Sequence, residues 1–188
     1  MTDQPRVTTP SSDVSVHRAL PAEVDAIAAL TVEALRAQPA ELLPPGVLDE
    51  VDTADVAADW REAVTAPPSP RHLVLTALEG DEVVGYALAA PSQDPDAAAD
   101  GTSAEVLDLV VRADRTRRGH GARLLAALVD TLRGNGCSEV AEWVPVGDDA
   151  RRAFLVSAGF AADGASRTLE GGPGTASLRQ VRLSARID

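Results

Sequence analysis

The spacing of apolar residues predicts one strand and two helices in the first third of the chain. Val14 and Val16 alternate with polar neighbours, as in a short strand. From residue 22 to residue 37, after Pro21, apolar side chains return every three or four positions, which indicates an amphipathic helix. A second helical segment is predicted over residues 47–65, between prolines at 44–45 and 67–68.

After residue 70 the pattern becomes mainly that of strands. The apolar runs 72–78 and 82–88 flank a tight turn and predict a hairpin. Residues 92–103, rich in Asp, Ala and Pro, are predicted to form a surface loop. The remaining predicted elements are a buried strand at 105–112, a helix at 117–133, a strand at 137–144, a helix at 148–158, and two strands near residue 160 and at 176–184, around a glycine-rich turn at 171–174.

This order of elements predicts an α+β fold, in which a mixed, mostly antiparallel sheet of six to seven strands is flanked by about four helices. Residues 13–188 are expected to form a single domain, and the polar residues 1–12 a disordered lead. The first residues resemble no signal peptide, and no apolar run is long enough for a membrane span. With a single cysteine, Cys137, these features predict a cytoplasmic protein that does not enter a membrane.

The distribution of charge limits the kinds of ligand that the protein is expected to bind. The formal net charge of the 188 residues is −12, which argues against general nucleic-acid binding. All 17 basic residues are arginines. A basic cluster interrupts the acidic chain, and its members are Arg112, Arg115, Arg117, Arg118 and Arg123. A cluster of this size suits a small anion better than a polymer.

The basic cluster lies where a predicted strand gives way to a helix. Gly119 and Gly121 flank His120 at the expected start of that helix. The first helical turn offers unpaired N–H groups and the positive end of the helix dipole, and glycines let a bulky anion approach the main chain. Residues 117–122, Arg-Arg-Gly-His-Gly-Ala, are therefore predicted to bind a phosphate or pyrophosphate.

Several types of phosphate loop compete for this segment. A nucleoside-triphosphate P-loop requires a lysine, and the chain has none. A dinucleotide-binding fingerprint requires a third glycine where Leu124 stands, although Glu139 lies near the spacing of a ribose-binding acid. A basic helix start without any ligand stays open as well.

Residues 116–125 resemble motif A of the GNAT superfamily of N-acetyltransferases, Arg/Gln-x-x-Gly-x-Gly/Ala followed by an apolar helix. Residues 148–160 resemble motif B of that superfamily, Asn-x-x-Ala-x-x-Phe-Tyr-x-x-x-Gly-Phe. The resemblance implies a GNAT-like fold and an acyltransferase that uses acetyl-CoA as co-substrate, without a metal. It also implies contacts with coenzyme A by Leu109, Val110, Val111, Arg117, Arg118, Gly119, His120, Gly121, Ala122, Asp148 and Phe154.

Three of the departures from these motifs bear directly on the expected function. Thr116 stands where motif A has Arg or Gln, and Asp148 where motif B has Asn. Leu155 replaces a tyrosine that in the family often protonates the departing thiolate of coenzyme A. Two expectations for function follow: an N-acyltransferase in which an amine attacks the thioester directly, and a non-catalytic module that binds or senses acyl-CoA.

The resemblance implies that the thioester lies between two splayed strands, near Leu109 and Trp143. Glu105 aligns with a general-base glutamate of some family members and is the predicted catalytic residue. By alternation Glu105 and Asp108 should lie on opposite faces of their strand unless a bulge intervenes, so one of them is expected to face the cleft. Glu142 is a third candidate base.

His120 suits a proton shuttle by its chemistry, although this position of the motif generally points toward structure or solvent. The expected acceptor is a small-molecule or protein amine, and a homodimer is a further expectation from the family. The His and Cys residues do not show the spacing of a zinc site, so no metal is predicted.

Overall fold

The computed structural model describes residues 14–98, 101–172 and 175–188. These residues form a seven-stranded sheet in the order β1-β2-β3-β4-β5-β7-β6. The strands are β1 (Val14–Arg18), β2 (Leu73–Glu79), β3 (Glu82–Pro91), β4 (Ser103–Val111), β5 (Glu139–Pro145), β6 (Ala161–Leu169) and β7 (Leu178–Arg186). Only the β4–β5 pair is parallel, so the predicted α+β fold with a mostly antiparallel sheet is confirmed. The predicted disordered lead at 1–12 lies outside the described residues.

The described residues contain five helices, where about four were predicted. These are α1 (Val24–Arg36), α2 (Val47–Glu50), α3 (Thr53–Thr65), α4 (His120–Gly134) and α5 (Asp149–Ser157). The helix predicted over 47–65 is divided into α2 and α3, because Asp52 caps α3 by accepting a hydrogen bond from the Ala54 N–H at 2.8 Å. None of these helices combines the length and the apolar composition needed to span a bilayer.

Two apolar clusters cover the two faces of the sheet. One face packs against α4, whose leucines at 124, 125, 128 and 132 are all buried, and against Leu155 of α5. The other face packs against α1 and α3 through Ile27 and Trp60. The strand β2 shows the alternation directly, since Leu73 and Leu75 face α4 while Val74 faces α1. The strands β2 to β4 thus lie between two pairs of helices, whereas β6 at the sheet edge is largely exposed.

A bulge in β4 changes which of its residues share a face. The register between β3 and β4 shifts at Leu107, which falls between two paired positions and is 52% exposed. The residues of β4 that pack toward α4 are Ala104, Val106, Leu109 and Val111. Glu105 and Asp108 therefore share the opposite face, because the bulge, the exception allowed for in the prediction, reverses the simple alternation.

The sheet opens between β4 and β5. The two strands pair only from Ser103–Glu105 to Glu139–Ala141, and beyond these three pairs they diverge. The strand β5 remains paired with β7 along its whole length. A cleft is therefore left in the sheet beside the second half of β4.

Gly85 of β3 is required by close packing rather than by its backbone conformation. A Cβ atom at this position would lie 2.6 Å from the carbonyl oxygen of Val110 and 3.3 Å from Leu124 Cδ1. Because the nearest atom belongs to the backbone, we expect Gly85→Ala to destabilise the protein by about 1–3 kcal/mol. This lowers the melting temperature by roughly 2–4 °C per kcal/mol, measurable by thermal unfolding.

The control for that change is Gly134→Ala, at the end of α4, where an added Cβ would meet no atom within 4 Å. This variant should melt at or slightly above the temperature of the unchanged protein, because alanine favours the helix. Equal melting temperatures for the two variants would show that β3 and β4 can move apart at no cost.

Candidate active site

The predicted phosphate loop joins a short helical turn to α4. Arg117 and Gly119 have positive φ angles, 61° and 86°, so α4 begins at His120 and not at residue 117 as predicted. The Thr116 hydroxyl donates a hydrogen bond to the carbonyl of Ala113 at 3.1 Å. The first helical hydrogen bond of α4 runs from Arg123 N–H to the Gly119 carbonyl. The preceding N–H groups of the first turn have no acceptor within the helix and can bind an anion.

A cavity of about 380 Å³ lies against this loop and is called the loop cavity below. Its lining residues are Leu109, Val111, Arg115, Thr116, Arg117, Gly119, His120, Gly121, Ala122, Arg151 and Phe154. Eight of the residues predicted to contact coenzyme A lie in this lining: Leu109, Val111, Arg117, Gly119, His120, Gly121, Ala122 and Phe154. The structure thus brings most of the predicted binding residues around one space.

Three predicted contact residues lie elsewhere. Val110 belongs to the cluster on the α1 side of the sheet, because it alternates with its cavity-lining neighbours. The Arg118 guanidinium lies 3.2 Å from the Glu79 carboxylate. Asp148 caps α5 by accepting a hydrogen bond from the Arg151 N–H at 2.9 Å, and it lines a different cavity. These residues are therefore not placed to line the loop cavity.

Acidic residues of the β2–β3 hairpin neutralise much of the basic cluster. Arg115 Nε lies 3.0 Å from Glu79 Oε2, and Arg112 Nη1 lies 2.5 Å from Glu82 Oε1. Arg117 lines the loop cavity and forms no ion pair within the described part of the chain. The cavity is less positive than five neighbouring arginines suggest.

His120 contributes a buried imidazole to the loop cavity. The residue is 1% exposed, and neither ring nitrogen has a hydrogen-bond partner within the described protein. Its Nε2 lies 3.8 Å from the Glu79 carboxylate. Burial lowers the pKa of His120, which Glu79 opposes only in part. A neutral imidazole at this place offers one donor and one acceptor to a ligand.

A second cavity, of about 500 Å³, lies on the other side of the opening in the sheet and is called the cleft cavity below. It is bounded by α1, the second half of β4 and the end of β5. The residues that line it are Thr31, Ala34, Leu35, Gln38, Val106, Leu107, Asp108, Leu109, Val110, Glu142, Trp143, Pro145, Asp148, Arg151 and Leu178. Two of the three candidate bases, Asp108 and Glu142, are therefore brought to one space.

Asp108 ends a chain of buried hydrogen bonds. The Trp60 indole donates to the Thr31 hydroxyl at 2.9 Å, and this hydroxyl lies 3.1 Å from the Tyr86 oxygen. The Tyr86 hydroxyl donates to Asp108 Oδ2 at 2.5 Å. Burial raises the pKa of Asp108, and the bond from Tyr86 opposes that rise. No local pattern predicts this chain of side chains, because they come from four separate elements.

Arg151 spans the opening between β4 and β5. Its Nε and Nη2 lie 2.5 and 2.9 Å from the two carboxylate oxygens of Glu142, and its Nη1 donates to the Leu109 carbonyl at 3.3 Å. Burial raises the pKa of Glu142, and the Arg151 guanidinium opposes this rise. Arg151 was not predicted as a site residue, although a visible signal existed: it occupies the alanine position of motif B.

Glu105, the predicted catalytic residue, lies outside both lining sets. It is 8% exposed and sits at the last paired position before the strands diverge. The closest cation is Arg167, whose Nη2 lies 3.9 Å away and whose guanidinium stacks on the Trp143 ring at 4.3 Å. Burial raises the pKa of Glu105. Leu155 is fully buried in the core on the α4 side. Like Glu105, it lines neither cavity.

Within the described ranges, no three His, Cys, Asp or Glu side chains are grouped so that they could hold a metal ion.

Residues 33–160 match the model of the acetyltransferase (GNAT) family, and the chain belongs to this family. A comparison with curated proteins gave no match.

Several solved structures of similar fold are described as acetyltransferases. A putative acetyltransferase, YncA, from Salmonella typhimurium, solved with acetyl-CoA, is 21% identical with a TM-score of 0.72, over 93% of this chain and 94% of that one. A ribosomal-protein-alanine N-acetyltransferase from Brucella melitensis is 22% identical with a TM-score of 0.73, over 92% and 99%. A phosphinothricin acetyltransferase from Sinorhizobium meliloti, in complex with acetyl-CoA, is 18% identical with a TM-score of 0.70, over 92% and 88%.

Proposed function

We propose that this acyltransferase moves an acetyl group from acetyl-CoA to an amine, by direct attack while both substrates are bound. The observation that carries the proposal is the meeting of two cavities at the opening between β4 and β5. The N-terminus of α4 lines the loop cavity, and the buried carboxylate of Asp108 lines the cleft cavity. Their linings share Leu109 and Arg151, so the two cavities adjoin at these residues.

The residues of the loop cavity fit coenzyme A. The N–H groups at the start of α4 and the Arg117 side chain suit a pyrophosphate. The unpartnered nitrogens of His120 can be satisfied by a polar group of the same ligand, and Phe154 offers an apolar wall. When bound, acetyl-CoA supplies a thioester that is activated toward amines.

Asp108 is the base that we favour for removing the proton of an ammonium acceptor. It lines the cleft cavity, whereas Glu105 does not, and Tyr86 holds its carboxylate in place through a hydrogen bond. The raised pKa of Asp108 makes it a stronger base than an exposed aspartate, which brings it closer to the pKa range in which general bases work best. Glu105 remains the proposal made from the family resemblance, and the two are separated by mutation.

The charge of the cleft cavity favours a cationic acceptor. Asp108, Glu142 and Asp148 line it, while Arg151 is the only basic residue in the described lining. A protonated primary amine, on a small molecule or on a protein, complements this balance.

Direct attack is favoured over an acyl-enzyme because the chain offers few nucleophiles to carry the acetyl group. Its only cysteine, Cys137, is buried in the core, and the sequence contains no lysine. After incubation with acetyl-CoA alone, we therefore expect the mass of the protein to stay unchanged. A protein that gains about 42 Da under these conditions would support a covalent intermediate instead.

The test of the function itself is release of coenzyme A thiol from acetyl-CoA, followed across a panel of primary amines that includes diamines and lysine-containing peptides. We expect release that depends on both acceptor and protein. Saturable binding of coenzyme A without release of its thiol in the presence of any amine would contradict the transferase and support the sensing module. The observation that favours this module is that Leu155, at the position of the family's tyrosine, is buried in the core.

A further inference from the structure

We propose that Arg151 stabilises the departing thiolate of coenzyme A, a task for which Leu155 offers no polar group. This inference rests on the proposed function, because it assigns a residue to one step of that reaction. Leu155 lies in the core on the α4 side, so no hydroxyl reaches the opening of the sheet from its position. Arg151 is the basic residue that lines both cavities.

The guanidinium is held so that one edge is fixed and the other faces the reacting region. The Glu142 carboxylate binds the Nε and Nη2 edge with two short hydrogen bonds. The remaining nitrogen, Nη1, donates to the carbonyl of Leu109, the other residue shared by both linings. The Arg151 side chain is 19% exposed, and its Cζ lies 5.5 Å from the centre of the Phe154 ring. This nitrogen therefore lies beside Leu109, a residue of both linings, and carries a second N–H besides the one bonded to the Leu109 carbonyl.

Negative charge develops on sulfur in the chemical step, and a cation near it stabilises that charge. Asp108 accepts the ammonium proton, the freed amine nitrogen bonds to the thioester carbon, and the carbon–sulfur bond breaks with its electron pair remaining on sulfur. Arginine does not give up a proton near neutral pH, so Arg151 acts by charge and by hydrogen bonding. The acylated nitrogen gives its second proton to water, and water returns a proton to the thiolate. A donor placed in advance against developing charge contributes strongly to catalysis when the site is shielded from water.

A purely structural role for the Arg151–Glu142 pair predicts different behaviour. In that case the pair closes the gap in the sheet and shapes both cavities without distinguishing a thiolate from any other group. The charged side chains that face Arg151 are Glu142, Asp108 and Asp148, and they act equally on two ligands that share every group except sulfur. A comparison of two ligands that differ only at sulfur removes these shared contributions.

The experiment is equilibrium binding by calorimetry of coenzyme A and of an analogue that lacks the sulfur atom, between pH 7 and pH 9. We expect the preference for coenzyme A to grow roughly tenfold over this range as its thiol ionises, because a charged donor favours the thiolate. Arg151→Gln should abolish that growth. It should also lower kcat for acetyl transfer by about 10²-fold, the effect typical of one lost donor of this kind.

Two further variants control the result. Arg152→Gln removes the same charge from the same turn of α5 at an exposed position, and its pH-dependent preference should match that of the unchanged protein. The double variant Glu142→Gln/Arg151→Gln removes both buried charges, so it avoids an unpaired carboxylate and should behave as Arg151→Gln does.

The inference is overturned if the unchanged protein shows no growth in preference, or if Arg151→Gln keeps it. The inference is also overturned if Arg151→Gln lowers the affinity for both ligands equally at every pH. That result would show that the Arg151–Glu142 pair only shapes the cavities. In each of these cases thiol release by the unchanged protein with an amine would still support the proposed function. If the unchanged protein releases no thiol with any amine, the proposed function itself is contradicted.

Discussion

Replacement of Asp108 by asparagine is expected to lower kcat for acetyl transfer by about 10²- to 10⁴-fold, the usual contribution of a general base. The affinity for coenzyme A should remain unchanged, because Asp108 lines the cleft cavity and not the loop cavity. The raised pKa of Asp108 also places the acidic limb of the pH–rate profile above the ordinary range of an aspartate. Steady-state kinetics across pH should show this limb in the unchanged protein and not in the variant.

The loss of rate should not come from unfolding. A carboxyl whose pKa is raised by folding contributes stability at low pH that is lost as the pH rises through its folded pKa. Asparagine stays neutral and can still accept the hydrogen bond from Tyr86, so Asp108→Asn should be at least as stable as the unchanged protein above that pKa. Thermal unfolding at pH 8 checks this.

Glu105→Gln is the matched comparison, since it neutralises the other acidic residue on the same face of β4. Because Glu105 lines neither cavity, we expect its replacement to change kcat by less than about tenfold. The reverse result, a large loss with Glu105→Gln and a small one with Asp108→Asn, would make Glu105 the base, as the family resemblance predicts.

Replacement of Gly121 by leucine is expected to block coenzyme A while leaving the fold intact. A Cβ at Gly121 would lie 3.7 Å from both Leu109 Cδ2 and the Phe154 ring, which is ordinary contact. The rest of a leucine side chain has to occupy the loop cavity, so we expect a loss of affinity of roughly 100-fold or more. Stability should rise by up to about 1 kcal/mol, because glycine is the poorer helix former.

Gly134→Leu supplies the control within the same helix. An added Cβ there meets no atom within 4 Å, so stability should change in the same direction while binding of coenzyme A is kept. Calorimetry and thermal unfolding on the two variants separate the two effects. If Gly121→Leu binds coenzyme A normally, the loop cavity is not its site.

The parts of the site that follow from local sequence were predictable. The glycines at 119 and 121 and the leucine stripe of α4 lie where short-range patterns predicted them, because a helix start and an amphipathic stripe are encoded by neighbouring residues. Phe154 was expected near the ligand only from the family resemblance, and it lines the loop cavity. The bulge at Leu107 was not predictable from these patterns, since one extra residue in a strand leaves no local mark on alternation.

The remaining differences come from partners distant in sequence. Glu79 and Glu82 neutralise arginines that lie about thirty or more positions further along, and a charge count along the chain could not show this. The hydrogen-bond chain to Asp108 depends on the packing of α1 and α3 against the sheet. The extent of the single domain, the cytoplasmic location and the homodimer stay predictions.

The opening beside β4 divides the sheet into two plates that share a seam of only three residue pairs. The strands β5, β7 and β6 form one plate, with β5 held along its full length by β7. The strands β1 to β4 form the other, which carries Asp108. For the proposed reaction, we therefore expect substitutions at Ser103 or Ala104 in this seam to change the width of the opening although neither residue lines the cleft cavity.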